Sequence, residues 1–176
     1  CFLIIRLTDL LILVDKHANE IGTETKEACH RNPVPLHRAF SIFVFNSKGQ
    51  LLIQRRAVSK KTWGGYWSNT VCSHPRKGET LDQATQRRLQ EEFSFTTPLH
   101  HVFTFTYEAQ WNDLWGEHEV DHVFVGTYDG TIVPNKDEVE DWKFIDTDML
   151  RDHMKRNPNE YTPWFKLSLE RVLQEK

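Results

Sequence analysis

Ser73-His74-Pro75-Arg76-Lys77-Gly78-Glu79-Thr80-Leu81-Asp82-Gln83-Ala84-Thr85-Gln86-Arg87-Arg88-Leu89-Gln90-Glu91-Glu92-Phe93-Ser94-Phe95 is the stretch on which the fold turns. It begins as a loop, Ser73 to Glu79. Thr80 and Gln83 then have the spacing of a capping box, in which the Thr hydroxyl accepts from the Gln N–H and the Gln side chain reaches back. This predicts a helix from Thr80 to about Phe93. Glu91 and Glu92 fall in its last turn, where the negative end of the macrodipole disfavours a carboxylate by about a few tenths of a kcal/mol. Arg87 and Arg88 lie four residues earlier, so each can pair with one acid. The pattern suits either a solvated ion-pair ladder or a helix whose acids are compensated by a bound cation.

The segment leading into this loop is Asn69-Thr70-Val71-Cys72-Ser73-His74-Pro75. In extended backbone, Cys72 and His74 share a face. Further on, Glu117-His118-Glu119 repeats that spacing with two carboxylates. A thiol, an imidazole and two acids on extended segments can supply metal ligands and an acid/base pair to one site. Any one of them taken alone reads equally as structural, since single Cys and His residues are commonly just buried.

Outward from these motifs, strands are expected at Leu10–Val14, Ala39–Phe45, Gln50–Gln54, Val102–Tyr107, Glu119–Tyr128 and Trp142–Ile145. Asn46-Ser47-Lys48-Gly49 is a turn signal that joins the second and third of these as a hairpin. A further helix opens at Asp146 or Thr147 and ends at Asn157-Pro158. Thr162-Pro163 suits N-cap and N1 of a last helix, whose Trp164, Phe165, Leu169, Val172 and Leu173 make one apolar stripe. The elements describe a mixed β-sheet flanked by helices, an α+β (α/β sandwich) domain. With 176 residues, 39% of them hydrophobic, and no repeat or low-complexity linker, one domain over residues 1–176 is expected.

A net charge of −3 offers no general electrostatic basis for nucleic-acid binding. The apolar opening is interrupted by Arg6 and Asp9 and is too short to span a bilayer, so no membrane partner is expected. The chain opens on Cys1 rather than Met, which leaves its native start open. Three cysteines, Cys1, Cys29 and Cys72, form no disulfide framework and suit a reducing, cytoplasmic setting.

The opening loop and helix resemble a degenerate Nudix box, with Glu79, Arg87, Leu89, Glu91 and Glu92 at matching positions. Ser73 and Ser94 stand where that pattern has glycines, and Arg88 stands where it has an acid. The wider series resembles type 1 isopentenyl-diphosphate delta-isomerase, a family with a Nudix-like fold. That series comprises His30, Leu36 to Phe40, Phe45 to Ala57, Ser59 to Trp63, Trp67 to Pro75, Gly116 to Val120 and Thr162 to Trp164. It runs in family order from about Ile12 to Leu173.

The resemblance implies isomerisation of isopentenyl diphosphate to dimethylallyl diphosphate, in isoprenoid biosynthesis, by protonating the alkene and removing a proton from C2. It implies Cys72 and Glu119 as the proton-transfer pair, Tyr107 as the hydrogen-bond partner of Glu119, and Trp164 as the indole against the hydrocarbon. It implies His30, His37, His74, Glu117 and Glu119 as ligands of a manganese, zinc or magnesium ion. Three imidazole nitrogens favour a transition metal there. It implies a magnesium ion on the diphosphate held by Glu92, with Lys26, Arg56, Lys60 and Arg88 as basic residues around the diphosphate. His118, His122 and Cys29 lie outside that set. A monomer that takes a small-molecule substrate is expected.

Without the resemblance, Tyr107 and Trp164 read as core, and Arg56, Lys60 and Lys61 as a solvated run. Two other functions remain open: a Nudix-type diphosphohydrolase, and a binding domain in which Cys72 and the histidines hold structural zinc. The substituted box acid and the Cys72/Glu119 pair speak against the first. A single usable Cys beside two acids speaks against the second.

Overall fold

The computed structural model describes residues 10–176; the apolar opening at 1–9, with Cys1, lies outside them. The elements are β1 (Leu10–Val14), β2 (Glu20–Thr25), α1 (Lys26–His30), β3 (His37–Phe45), β4 (Leu51–Arg56), β5 (Trp67–Ser68), β6 (Val71–Ser73), α2 (Leu81–Phe93), β7 (Leu99–Gln110), β8 (Gly116–Thr127), β9 (Val139–Ile145), α3 (Thr147–Arg156) and α4 (Pro163–Glu175). The strands form one mixed sheet, in which β3 pairs in parallel with β8 and β8 pairs antiparallel with β7. Among the described residues, no helix is long and apolar enough to cross a membrane.

β3 is the middle of the molecule because both of its faces are apolar. Alternate residues of a strand point to opposite faces. Phe43 and Phe45 pack with Val123 and Val125 of β8 against Phe165, Leu169 and Val172 of α4. Phe40, Ile42 and Val44 pack with Phe124 against Ala84, Leu89 and Phe93 of α2. The result is a helix–sheet–helix sandwich, and a continuous apolar strand is what such double covering requires.

The same alternation positions the site. His37 and Ser41 lie on the face of Phe43, and Glu117, Glu119 and Asp121 lie on the face of Val123. The register sets His37 beside Glu119, and Glu119 beside Tyr107 on the far side. One face of the sheet is thus apolar core toward the α4 end and polar site toward the other.

Several boundaries differ from those the sequence suggests. β3 begins at His37 rather than Ala39, β8 at Gly116 rather than Glu119, and β4 ends at Arg56 rather than Gln54, so more site residues are held by the sheet. β7 and β9 are also longer than expected, because ladder pairing to β8 and β4 extends them. The Asn46–Gly49 turn forms, with Asn46 Oδ1 accepting from the Lys48 and Gln50 N–H groups at 3.1 and 2.9 Å. The hairpin stops at its mouth, however: β3 and β4 pair only at Phe45–Leu51. Beyond that point β6 and β8 take β3, while β5 and β9 take β4. Local turn chemistry selects a turn, and non-local strands then outcompete the hairpin partner.

α2 has the expected capping box, with Thr80 and Gln83 bonding reciprocally. Thr162 occupies the N-cap position of α4, but its hydroxyl does not cap; it bonds Ser68 Oγ at 2.9 Å. α2 ends on Ser94 in the left-handed region, φ 59°. A side chain there is disfavoured, and glycine is the usual residue. Ser94→Gly is therefore expected to stabilise the fold by about 0.5–1 kcal/mol, raising Tm by about 2–3 °C in a thermal melt. A lower Tm would mean that the Ser94 side chain contributes more than its backbone costs.

Candidate active site

The five expected metal ligands converge. One ligand atom from each of His30, His37, His74, Glu117 and Glu119 lies within 4.8 Å of all the others, and all five residues are buried. They come from four separate places: His30 from α1, His37 from β3, His74 from the loop after β6, and Glu117 and Glu119 from one face of β8. α1 is a five-residue helix capped by Thr25, and sequence periodicity did not reveal it. His30 Nδ1 lies 2.6 Å from the Lys26 carbonyl and His37 Nδ1 lies 2.9 Å from the Pro35 carbonyl. Each Nδ1–H can donate there, leaving the Nε2 lone pair aimed at the cluster.

The cluster fits a cation. His37 Nε2 and Glu117 Oε2 are buried without hydrogen-bond partners. His30 Nε2 stands 3.0 Å from Glu117 Oε2, and His74 Nε2 and His37 Nε2 stand 2.7 and 3.4 Å from Glu119 Oε1. Burial works to raise the Glu119 pKa, but the adjacent His37 and His74 imidazoles outweigh it and hold the carboxyl well below the usual range. Burial pushes the His74 imidazole down to about 3 against the pull of Glu119. An ionised carboxylate beside a neutral imidazole is the protonation state that metal binding needs. Thr62 Oγ1 donates to Glu117 Oε1 at 2.9 Å, which ties the loop after β4 to the cluster.

His30, His74, Glu117 and Glu119 form part of the wall of a cavity of about 430 Å³. Cys72, Tyr107 and Trp164 line the same cavity. Tyr107 donates its hydroxyl hydrogen to Glu119 Oε2 at 2.6 Å. Trp164 Nε1–H donates to Cys72 Sγ at 2.7 Å, and the thiol donates to Asn69 Oδ1 at 2.8 Å. Asn69 cannot turn over, because its amide nitrogen is held by the carbonyls of Ile42 and Val71. Burial pushes the Cys72 thiol up to about 12, helped by Asp121 and partly opposed by Arg56, so the sulfur keeps its proton at neutral pH.

Lys26, Arg56, Lys60 and Arg88 make the third part of the wall. Burial lowers the Lys26 pKa, with the neighbouring Lys60 and Arg88 charges adding to it. Four cations around one cavity suit a multiply charged anion. Arg56 donates to the carbonyls of Trp63 and Thr62 at 3.2 and 3.1 Å and lies 5.2 Å over the Trp164 ring. Trp63, at φ 44°, is the strained point of that loop.

Glu92 is placed differently from the others. It is buried, and its oxygens are taken by Arg88 at 2.5 Å and Gln54 at 2.8 Å, so it does not line the cavity. His118 and His122 lie on the opposite face of β8 from the ligands, and Cys29 is buried and free. Asn69, Ser68 and Thr62 escaped the sequence reading, although Asn69 stands three residues from Cys72 in the motif that drew attention to it. Ser41 and Asp121, joined by a 2.7 Å hydrogen bond, also lie unheralded behind the thiol.

The NUDIX domain family model matches residues 35–165. A protein of Aromatoleum aromaticum named isopentenyl-diphosphate Delta-isomerase 1 is 46% identical over 167 residues, covering 95% of this chain and 94% of that protein. A protein of Serratia proteamaculans with the name isopentenyl-diphosphate Delta-isomerase is 45% identical over 159 residues, covering 90% of this chain and 88% of that protein. Among solved structures, DR0079 from Deinococcus radiodurans aligns with a TM-score of 0.68 at 19% identity, covering 84% of this chain and 89% of that one. A MutT protein from Methanosarcina mazei aligns with a TM-score of 0.58 at 18% identity, covering 72% of this chain and 95% of that one. The structural likenesses speak to the fold alone.

Proposed function

The chain belongs to the isopentenyl-diphosphate Delta-isomerases, enzymes within the NUDIX domain family, and from that premise we propose that it interconverts isopentenyl and dimethylallyl diphosphate in isoprenoid biosynthesis. The observation that carries the proposal is the Cys72 thiol and the Glu119 carboxylate on the wall of one cavity that also carries an indole and four cations.

Moving the double bond requires a proton added to the terminal alkene carbon and another removed from C2. Burial raises the Cys72 pKa and neighbouring imidazoles lower that of Glu119, which suits the pair as acid and base in one direction and the converse in the other. Tyr107 orients Glu119 through its hydroxyl. Trp164 fixes the sulfur through its N–H, and its ring can stabilise a tertiary cation by roughly 2 kcal/mol in a dry site. Trp63, edge-on at 5.4 Å from Trp164 between ring centres, packs against the indole that lines the cavity and holds its ring in place.

The diphosphate takes Lys26, Arg56, Lys60 and Arg88. His30, His37, His74, Glu117 and Glu119 would hold a divalent ion, whose charge favours the ionised form of Glu119 and fixes its orientation. Glu92 accepts from Arg88 and Gln54 and does not line the cavity, so holding an ion on the diphosphate would require its side chain to turn toward the cavity.

Incubation with isopentenyl diphosphate and a divalent cation should yield dimethylallyl diphosphate, read by proton NMR, and the reverse reaction should run without a redox cofactor. Release of phosphate or pyrophosphate with no alkene migration would instead identify a diphosphohydrolase.

A further inference from the structure

Glu138 stands behind the cationic wall. It lies on the turn entering β9, and it does not line the cavity. Its Oε2 pairs with Lys60 Nζ and lies 3.2 Å from Arg88 Nη2. Burial works to raise its pKa, but Arg88 and Lys60 outweigh it and hold the carboxyl at about 2.

The turn itself is anchored at both ends of this group. The Asn135 N–H donates to the Glu92 carbonyl at 2.8 Å, on the helix that carries Arg88. The Ala57 N–H donates to the Glu138 carbonyl at 3.0 Å, where the loop that carries Lys60 leaves β4. Glu138 thus joins two elements that are far apart in sequence, and its carboxylate holds one charged end from each.

We propose that Glu138 is a positioning residue for the diphosphate group, holding the Lys60 and Arg88 charges side by side so that both face the incoming anion. The proposal rests on the reading that the cationic wall receives a diphosphate. Glu91 and Glu92 also hold Arg88, at 2.7 and 2.5 Å, but Lys60 is long, flexible and repelled by Arg88, so without Glu138 between them Lys60 swings away. A carboxylate facing the cavity would repel an anion. Glu138 lies outside the lining, so it orders the cations from behind.

Binding of inorganic diphosphate, measured by calorimetry at fixed magnesium, tests this without recourse to turnover. The parent should bind it; failure of the parent to bind would overturn the diphosphate reading of the wall and this proposal with it. Glu138→Gln should weaken binding by about tenfold and raise KM for the diphosphate substrate by the same factor, with kcat within about twofold of the parent. In a Lys60→Met background, Glu138→Gln should cost less than about threefold, because its main partner is gone. Glu138→Asp keeps the charge but withdraws it by one methylene, so it should fall between the parent and the Gln variant; it also serves if the Gln variant folds poorly. Parent-like or tighter diphosphate binding in the charge-removed or shortened variant would overturn the assignment. So would a full tenfold loss that persists without Lys60, or a fall in kcat at unchanged KM.

Discussion

Cys72→Ala is expected to lower kcat by about 10²-fold or more, with KM and Tm close to those of the parent. The thiol is the one proton-bearing group at that point of the cavity wall that can exchange with carbon, and alanine removes it. The structural cost is small because the groups that hold the sulfur keep other partners. Trp164 Nε1 retains Ser68 Oγ at 3.0 Å, and Asn69 Oδ1 retains the Ser68 hydroxyl at 3.0 Å. Glu119→Gln should lose a similar factor, since an amide cannot take the proton, but it should also lower metal content, which Cys72→Ala should not. Steady-state kinetics with circular dichroism separates lost chemistry from lost fold. If Cys72→Ala kept more than about half of the parent kcat, the thiol would be a bystander and the proton assignment would fall.

His74→Ala is expected to lower tightly bound metal from about one ion per chain toward none, and to abolish most turnover. The reason is electrostatic. His30, His37, His74, Glu117 and Glu119 crowd two carboxylates into a buried space. With His74 gone, Glu119 Oε1 keeps only His37 on that side, at 3.4 Å. An uncompensated buried charge costs roughly 3–5 kcal/mol, which in a chain of this size lowers Tm by about 10 °C. Chelation of the parent should reproduce much of that loss, and added divalent ion should restore it. Elemental analysis of purified His74→Ala and His37→Ala decides the matter. Unchanged metal content would make these imidazoles core residues.

Much of this chain is legible before folding. The capping box at Thr80 and Gln83, the turn at Asn46 to Gly49 and the apolar stripe of α4 are local patterns, set by hydrogen-bond reach over three or four residues and by helical period. The two-residue spacing of Glu117 and Glu119 states that they share a face, and on β8 they do. Motif order, through its resemblance to one enzyme family, grouped His30, His37 and His74 with no geometric reason available in the chain, and the fold brings them together.

Only the tertiary structure decided the rest. No local rule says that β3 should leave β4 after a single pair and run beside β8, yet that parallel register is what sets His37 against Glu119. The short helix α1 is too brief to show a period, yet it carries Lys26 and His30 into the cavity wall. Asn69 reads as one more polar residue until its amide is seen locked by two backbone carbonyls, with its oxygen on the thiol. Glu138 belongs to no motif in the sequence, and only the turn at Asn135 places it between Lys60 and Arg88. Glu92, read along the helix, has Arg88 within reach; the fold adds Gln54 from β4, so each of its oxygens accepts a hydrogen bond. Sequence spacing fixes which side chains share a face of one element, because backbone geometry is periodic. Which faces meet depends on the pairing of strands distant in sequence, settled by the burial of the whole core rather than by any one segment.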